Sequence, residues 1–383
     1  MQIPKLRFKN FNDEWKEKKL NNFLTESQIK GTNGKTAKKL SVKLWAKGVV
    51  EKKEILEGSM ETQYYTRHSG QLIYGKLDFL NCAFGIIPKE LDGYQSTADV
   101  PVFDIKNINS KFLLNKIIQK NFYQKYGDIA DGTRKAKRIH TDTFLNMSIY
   151  LPSIEEQTKI ANFLSLIDRK IELQEKLVEN LKLYKKGLLQ KIFKNECQNV
   201  SLSNLLIEKN NKNSIGLEVC SVAVEKGVVN QVEHLGRSFS AKDTSKYNRV
   251  SYGNLVYTKS PTGLFPYGII KQSYKKNDVA VSPLYAIYNP ITFNVGVLIH
   301  SFFEYPINTN NYLHSLIQKG AKNTINISNS RFLEKSIPMP NDNSLIDKYA
   351  NLIIDINDKI SYETKKLQDL KTYKKGLLQQ MFI

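Results

Sequence analysis

Two stretches of the chain, one near its middle and one at its end, repeat an apolar residue at every third or fourth position. In heptads counted from Ile160, eight of ten seam positions are apolar in each stretch, and the two polar exceptions coincide. A seam repeated every 3.5 residues is typical of paired helices. The predicted seam residues are Ile160, Leu164, Ile167, Ile171, Val178, Leu181 and Leu188 in the first stretch, and Ile353, Ile356, Ile360, Leu367, Leu370 and Leu377 in the second.

The same two stretches are copies of one sequence. Residues 184–193 read YKKGLLQKIF, residues 373–382 read YKKGLLQQMF, and thirteen of twenty-six positions between 168–193 and 357–382 are identical. The similarity extends upstream, where GQLIYGK (70–76) parallels GNLVYTK (253–259). The repeat predicts two copies of one unit, each a globular head followed by a long helix. We expect a first head at 1–150, a central spacer helix at 151–195, a second head at 196–340 and a C-terminal spacer helix at 341–383.

The length of the first helix constrains the arrangement. About 40 residues of helix extend about 60 Å at 1.5 Å per residue. A short connector, NECQNVS (195–201), joins the end of that helix to the second head. The second helix therefore has to run back antiparallel in order to pair with the first. We expect two heads held apart by a self-paired rod.

The heads have the sequence pattern of mixed α/β domains. Short β-branched and aromatic runs such as GQLIYGKL, AFGIIP, NLVYTK and PVFDI are bounded by Gly, Pro, Asn or Asp. Helical patterns occur between them, at about 112–126 and 308–318. The predicted fold class is α/β, with two mixed α/β domains separated by two long antiparallel helices.

The chain of 383 residues has a formal net charge of +20. Residues 1–150 contribute +10 and residues 196–340 contribute +6, so the excess lies in the two heads. Two basic segments are expected if both approach a polyanion, although excess lysine also serves solubility. The sequence has no apolar run of membrane-spanning length, no secretory signal, and three scattered cysteines. These features predict a cytoplasmic protein.

Basic residues in the heads are the candidates for polyanion contacts. Lys76 and Lys259 occupy matched positions just past a predicted strand, where an ammonium group could reach a phosphate, although either could be an ordinary edge lysine. Arginine and asparagine suit bidentate contacts to guanine and adenine edges, and both types occur in basic loops. The predicted contact set is Lys35, Lys76, Thr133, Arg134, Lys135, Lys137, Arg138, Lys259, Lys271, Lys322 and Asn323.

The sequence offers no convincing catalytic group. GTNGKT (31–36) resembles the end of a phosphate loop, but the required first glycine is replaced by Ile29, so a flexible basic loop is expected. Glu51-x-Lys53 resembles the end of a nuclease motif without a suitable upstream Asp, and the five histidines lack metal-ligand spacing. We therefore predict a protein that binds and positions, with no catalytic residue and no metal site.

The segment LPSIEEQTKIANFLSLIDRKIELQEKLVENLKLYKKGLLQKIF (151–193), repeated after a second head, resembles the specificity subunit of Type I DNA restriction–modification systems. The resemblance includes Glu155-Glu156-Gln157-x-x-Ile160-Ala161 and both Lys-Gly-Leu-Leu-Gln endings. The second copy, PNDNSLIDKYANL, lacks the Glu-Glu-Gln part.

The resemblance implies that each head is a target recognition domain reading one half of a split, asymmetric site in double-stranded DNA. The helices would set the gap between the halves and dock two modification subunits, through which restriction subunits would join. S-adenosylmethionine, ATP and magnesium would belong to those partners. Two alternatives remain: a coiled-coil scaffold whose basic heads bind RNA or acidic proteins, and a fused nuclease or methyltransferase, for which the sequence offers no residues.

Overall fold

The computed structural model describes residues 3–53, 58–127, 138–195, 197–213, 216–237, 240, 243–319 and 325–383. The chain divides into two compact units, Met1–Glu175 together with Lys366–Ile383, and Lys176–Lys365. Each unit contains one mixed α/β head and parts of two long helices. The four-part division expected from the sequence stays a prediction, because the boundaries of the units fall within the helices.

Strands of three to four residues dominate the first head. They are β1 (Lys16–Lys19), β2 (Leu24–Ser27), β3 (Lys30–Asn33), β4 (Leu40–Val42), β5 (Val49–Glu51), β6 (Gln63–Thr66), β7 (Leu72–Tyr74), β8 (Phe84–Ile86), β9 (Gln95–Ser96), β10 (Val102–Ile105) and β11 (Ser148–Leu151). The helices of this unit are α1 (Ser110–Ile117), α2 (Lys120–Gly127), α3 (Thr141–Leu145) and the first part of the long helix α4 (Ile154–Asn195).

The main sheet of the first head has the order β2-β10-β7-β8, with antiparallel pairs throughout. Strand β7 is interior and buried on both faces. Leu72 and Tyr74 pack into the larger core, whereas Ile73 packs into a smaller cluster with Val49 and Val102 on the opposite face. This alternation follows from the two-residue period of a strand. Smaller sheets, β3-β6-β9 and the hairpin β4-β5, complete the head.

The second head repeats this design. Its strands are β12 (Cys197–Ser201), β13 (Leu206–Glu208), β14 (Cys220–Ala223), β15 (Gly227–Asn230), β16 (Asn248–Val250), β17 (Leu255–Tyr257), β18 (Ile270–Gln272), β19 (Val279–Val281), β20 (Ala286–Pro290), β21 (Gln318–Lys319), β22 (Ile325–Asn326) and β23 (Ser336–Pro340). Its helices are α5 (Gln231–Leu235), α6 (Phe293–Phe303), α7 (Pro306–His314) and α8 (Asn329–Glu334), followed by the long helix α9 (Asn343–Met381).

The sheet order β13-β20-β17-β18 matches β2-β10-β7-β8 strand for strand. In β17, Leu255 and Tyr257 enter one core and Val256 enters another, as the corresponding residues of β7 do. Each head is also closed at its base by a two-stranded ladder, β1 with β11 and β12 with β23. The predicted duplication is therefore confirmed in the topology as well as in the sequence.

Capping residues determine where several helices begin. Asn109 accepts hydrogen bonds from the amides of Lys111 and Phe112 at the start of α1, and Thr292 accepts one from Val295 at the start of α6. Ser328 does the same at α8. Each cap satisfies amides that have no partner within the first helical turn.

The predicted seam is buried or half-buried along both long helices. This holds at all ten heptad positions of α4 and all ten of α9, including the two shared polar positions. In the first unit, Asp168 pairs with Lys374 and Glu175 with Lys371, so residue numbers rise along one helix while they fall along the other. The helices are therefore antiparallel there. In the second unit, Leu189 and Ile192 share a core with Tyr349, Ala350 and Ile353.

Within the described residues, none of the helices combines the length and apolarity required to cross a membrane.

Candidate nucleic-acid interface

Lys76 and Lys259 lie at the same end of the same strand in the two sheets. Strand β7 ends at Tyr74 and β17 ends at Tyr257, and both tyrosines are buried. The Tyr74 hydroxyl donates to the main-chain oxygen of Ile139, and the Tyr257 hydroxyl donates to that of Tyr267, each at 2.8 Å. Each lysine follows its tyrosine by two residues and is half-buried. The matched placement predicted from the repeat is thus present in the fold.

The side chain of Lys259 is held by a series of side-chain hydrogen bonds. Its Nζ donates to Asn329 Oδ1 at 2.6 Å, and Asn329 Nδ2 donates to Glu208 Oε1 at 2.7 Å. Burial lowers the pKa of Lys259, and the nearby Glu208 carboxylate opposes that shift. An ammonium group has three donors, so the bond to Asn329 leaves capacity for a phosphate oxygen. The Lys259 ammonium group is therefore held in a defined orientation by Asn329 and Glu208.

The backbone of Lys259 is also constrained. Its φ is +59°, in the left-handed region that residues with a Cβ seldom adopt. Gly268 lies against it, and a Cβ at Gly268 would be 2.7 Å from the Lys259 amide nitrogen. Only glycine permits this approach, so the turn that presents Lys259 has a defined shape.

Lys76 belongs to a second small cluster. Its amide donates to the Asp99 carbonyl at 3.0 Å, and its carbonyl accepts from the Ile139 amide at 3.1 Å. The exposed guanidinium of Arg138 lies 3.5 Å from the Asp99 carboxylate. The structure thus brings together Lys76 and Arg138, two of the predicted contact residues, around Asp99.

Six predicted contact residues fall in segments outside the described residues. They are Thr133, Arg134, Lys135, Lys137, Lys322 and Asn323.

Lys35 lies in a turn with a fixed backbone. Asn33 Oδ1 accepts from the amides of Lys35 at 3.1 Å and Thr36 at 3.3 Å. Gly34 packs closely on Ser59, since an added Cβ would lie 2.5 Å from the Ser59 carbonyl oxygen. The stretch expected to be a flexible loop is therefore the strand β3 followed by an Asn-capped turn, from which the Lys35 side chain is exposed.

Lys271 requires a correction. The sequence places it in a basic loop, but the structure places it within strand β18, where it is only 5% exposed. Burial lowers its pKa, with Glu304 and Lys185 as the neighbouring charges, and Lys185 itself donates to Glu304 Oε2 at 2.5 Å. A lysine enclosed in this way does not contact a phosphate on the surface. The prediction of an exposed loop was wrong because it relied on the neighbouring lysines. A run of charged residues does not show which of them lies within a strand.

The Glu155-Glu156-Gln157 motif anchors α4 to the first head. Glu156 accepts a two-pronged ion pair from Arg7, with Nε and Nη2 at 2.8 and 2.7 Å from its two oxygens. Gln157 accepts from the Asn109 amide at 3.1 Å, and the Glu156 amide donates to Ser153 Oγ at 3.4 Å. Of the capping box expected from Ser153 and Glu156, the bond from the Glu156 amide to Ser153 is thus present. The Glu156 carboxylate binds Arg7 instead of completing the box.

The partners Asp99, Glu208 and Asn329 were missed by sequence reasoning. None of them belongs to a motif. Asp99 and Asn329 are far in sequence from the basic residues that they contact, and Glu208 is linked to Lys259 through Asn329. Glu208 alone lies in a stretch that the repeat matches, LSNLLIE (202–208) against LNNFLTE (20–26), where its counterpart is Glu26. Among the described residues, no group of three or more His, Cys, Asp or Glu residues is arranged to hold a metal ion.

Comparison with known proteins gives the same assignment as the sequence motifs. Residues 84–183, from β8 into α4, match the family model of the Type I restriction modification DNA specificity domain. The S subunit of a Type I restriction–modification system from M. genitalium shares the fold, with a TM-score of 0.63 and 13% identity over 100% of this chain and 99% of that one. A chain from a structure concerned with complex assembly and conformational transition of the type I R-M system has a TM-score of 0.53 and 13% identity, over 96% of this chain and 97% of that one.

The family match lies on the segment that carries the Glu-Glu-Gln motif and the first spacer helix, and the structural likeness extends over both heads. Residues 84–183 therefore match a Type I restriction modification DNA specificity domain, and the chain as a whole shares the fold of the S subunit from M. genitalium.

Proposed function

We propose that the chain is the DNA sequence-specificity subunit of a Type I restriction–modification complex, in which each head reads one half of a bipartite, asymmetric site. The observation that carries the proposal is the placement of Lys76 and Lys259 at the same end of the same strand in two copies of one sheet. The two lysines are equivalent, but the residues around them differ between the heads. This suits a protein whose two heads make the same contact to the DNA phosphate backbone and different contacts to the bases.

The proposed division of labour follows from the chemistry of the side chains. Lys76 and Lys259 are point charges on constrained turns, and they would position the heads on phosphates. Arg138 is exposed beside Asp99, and a guanidinium held by a carboxylate is suited to a guanine edge. Arg134, Asn323 and the other residues of the two basic loops complete the proposed reading surfaces. The family match is to a DNA specificity domain and gives the RNA or scaffold alternative no support.

We assign no catalytic role to this chain. Methylation, cleavage and the binding of S-adenosylmethionine, ATP and magnesium would belong to modification and restriction subunits. Two modification subunits would dock on the paired helices α4 and α9, one near each head, and the helices would set the gap between the half-sites. The three cysteines are scattered in sequence, and Cys82 and Cys220 are buried, which suits a reducing cytoplasm.

The test is to sequence methylated bases in a host that expresses this chain with its modification subunit. The proposal predicts one motif made of two short half-sites separated by a fixed gap of unspecified bases. A host that expresses the modification subunit alone provides the control, and it should show no such motif. A single contiguous motif, or the same motif without this chain, would contradict the proposal.

A further inference from the structure

The hairpin β4–β5 of the first head exposes a tryptophan at its tip. Residues 43–48 join the two strands, and Trp45 is 57% exposed while its neighbour Leu44 is 39% exposed. The chain has one other tryptophan, Trp15, which is 2% exposed and packs edge-on against Phe112 and Phe382. Large aromatic side chains that remain exposed are frequent at recognition surfaces, since their burial on a partner is favourable.

The backbone at this tip is held in an uncommon conformation. Trp45 and Ala46 have φ values of +60° and +51°, and a bulky residue in this region is an outlier. The Trp45 amide donates to the Asn81 carbonyl and the Ala46 amide to the Cys82 carbonyl, each at 2.8 Å. Ala46 also packs against the main core of the head. The surrounding structure therefore fixes the backbone of the tip and the direction of the Trp45 Cα–Cβ bond.

The segment that braces the tip also carries Lys76. It connects β7 to β8, and it is closed by hydrogen bonds from the Gly75 amide to the Ala83 carbonyl at 3.0 Å and from the Asn81 amide to the Asp78 carbonyl at 3.1 Å. Trp45 is thus tied to the same turn as the proposed phosphate contact. Two exposed lysines, Lys43 and Lys47, flank the tip. A rigid apolar ring between cations suits a nucleic acid, whose phosphates surround apolar base faces and methyl groups.

The second head presents a different tip at the corresponding hairpin. Strands β14 and β15 are joined by the three residues Val224, Glu225 and Lys226, and no aromatic residue stands there. A surface shared by both heads for a common partner would be expected in both copies. A feature confined to one copy is instead suited to the function in which the two heads differ.

We propose that Trp45 is a specificity-determining residue of the first head, which contacts a base edge or base step of its half-site in duplex DNA. The inference rests on the proposed function and adds the residue type and the contact. An indole recognises apolar base surfaces such as the thymine methyl group, or enters a deformable step as a wedge. Because the tip is already braced, little conformational freedom is lost when it binds.

The test compares the methylation motif of the assembled complex containing the wild-type chain with those of Trp45→Ala and Trp45→Phe. We expect Trp45→Ala to relax the preference for at least one base of one half-site, by about tenfold or more, and to leave the other half-site unchanged. Trp45→Phe should retain most of that preference because it keeps an aromatic ring. Assembly with the modification subunit and the unfolding midpoint should be the same for all three chains, since the side chain is exposed.

Salt dependence distinguishes this contact from a charge contact. An apolar contact releases no phosphate counterions, so Trp45→Ala should weaken binding without changing the slope of log K against log salt. An unchanged motif in Trp45→Ala would overturn the inference while leaving the proposed function intact. Loss of assembly with the modification subunit would assign the tip to a protein partner and would also overturn it. Absence of a bipartite motif in the wild-type complex would overturn the proposed function itself.

Discussion

Arg7 and Glu156 form a two-pronged ion pair that joins the beginning of the chain to the first turn of α4. The Glu156 side chain is 1% exposed and that of Arg7 is 11% exposed. The hydrogen bond and the charge of Glu156 raise the pKa of Arg7. The pair connects the best-matched motif of the sequence to the position of the spacer helix on its head.

Breaking this pair is expected to destabilise the first unit. Arg7→Ala leaves a buried carboxylate without its cation, which costs about 3–5 kcal/mol in comparable cases. The measurement is urea unfolding of the full chain followed by near-UV and far-UV circular dichroism. Lys371→Ala is the matched control, since its pair with Glu175 is about half exposed and such pairs contribute about 0–1 kcal/mol. Equal losses for the two variants would contradict the interpretation.

The two matched lysines are expected to act as phosphate contacts. Lys76→Ala and Lys259→Ala should each weaken binding to the cognate site and to unrelated duplexes alike, and each should reduce the slope of log K against log salt by about 1. Binding isotherms of the assembled complex at several salt concentrations provide the measurement. Lys271→Met should leave the slope unchanged, because that side chain is buried in β18. A slope that falls for Lys271→Met and not for the other two would reverse the assignment.

His300 provides a pH-dependent prediction. It lies half-buried in α6, its enclosed Nε2 lacks a hydrogen-bond partner, and desolvation lowers its pKa well below 6.5, with Lys271 and Lys185 adding to the shift. Glu304 is the acidic group near those lysines. Below pH 6.5 the unfolded chain binds a proton that the folded chain does not bind. The free energy of unfolding should therefore fall as pH decreases below about 6.5, by up to about 1.4 kcal/mol per pH unit.

Urea melts between pH 5 and pH 8 test this prediction. His300→Leu should remove this part of the pH dependence, whereas His234→Gln, at an exposed position, should retain it. Identical pH profiles for the wild type and His300→Leu would show that His300 is not the titrating group.

The spacer helices are expected to set the gap in the DNA motif. Deleting one heptad from each, residues 171–177 and 360–366, removes equivalent positions of the two copies and preserves the seam. Seven residues of helix correspond to about 10 Å, or about three base pairs. The methylation motif should keep both half-sites and lose about three bases from the gap. An altered half-site with an unaltered gap would contradict this role.

The fold could be predicted from the sequence in the parts that show a heptad period or an internal repeat. The heptad spacing that includes Ile160 and Leu164 depends only on the helical period, so it predicts the buried seam from sequence alone. The repeat likewise predicts that Lys76 and Lys259 occupy equivalent positions. The environment of Lys271 could not be predicted, since its neighbours in space, Lys185 and Glu304, are distant in sequence. The exposed Trp45 was missed for a related reason. Its left-handed backbone and its bond to Asn81 exist only after the head has folded.

The central claim is that each head reads its half-site independently, and a graft tests it most directly. The ladders pair Lys19 with Ser148 and Ser201 with Ser336, so residues 20–147 can replace residues 202–335 at matched ends. Methylated-base sequencing of the complex with the grafted chain is the measurement. The account predicts a bipartite motif in which both halves are the half-site of the first head. Retention of the original second half-site by an assembled, grafted complex would contradict it.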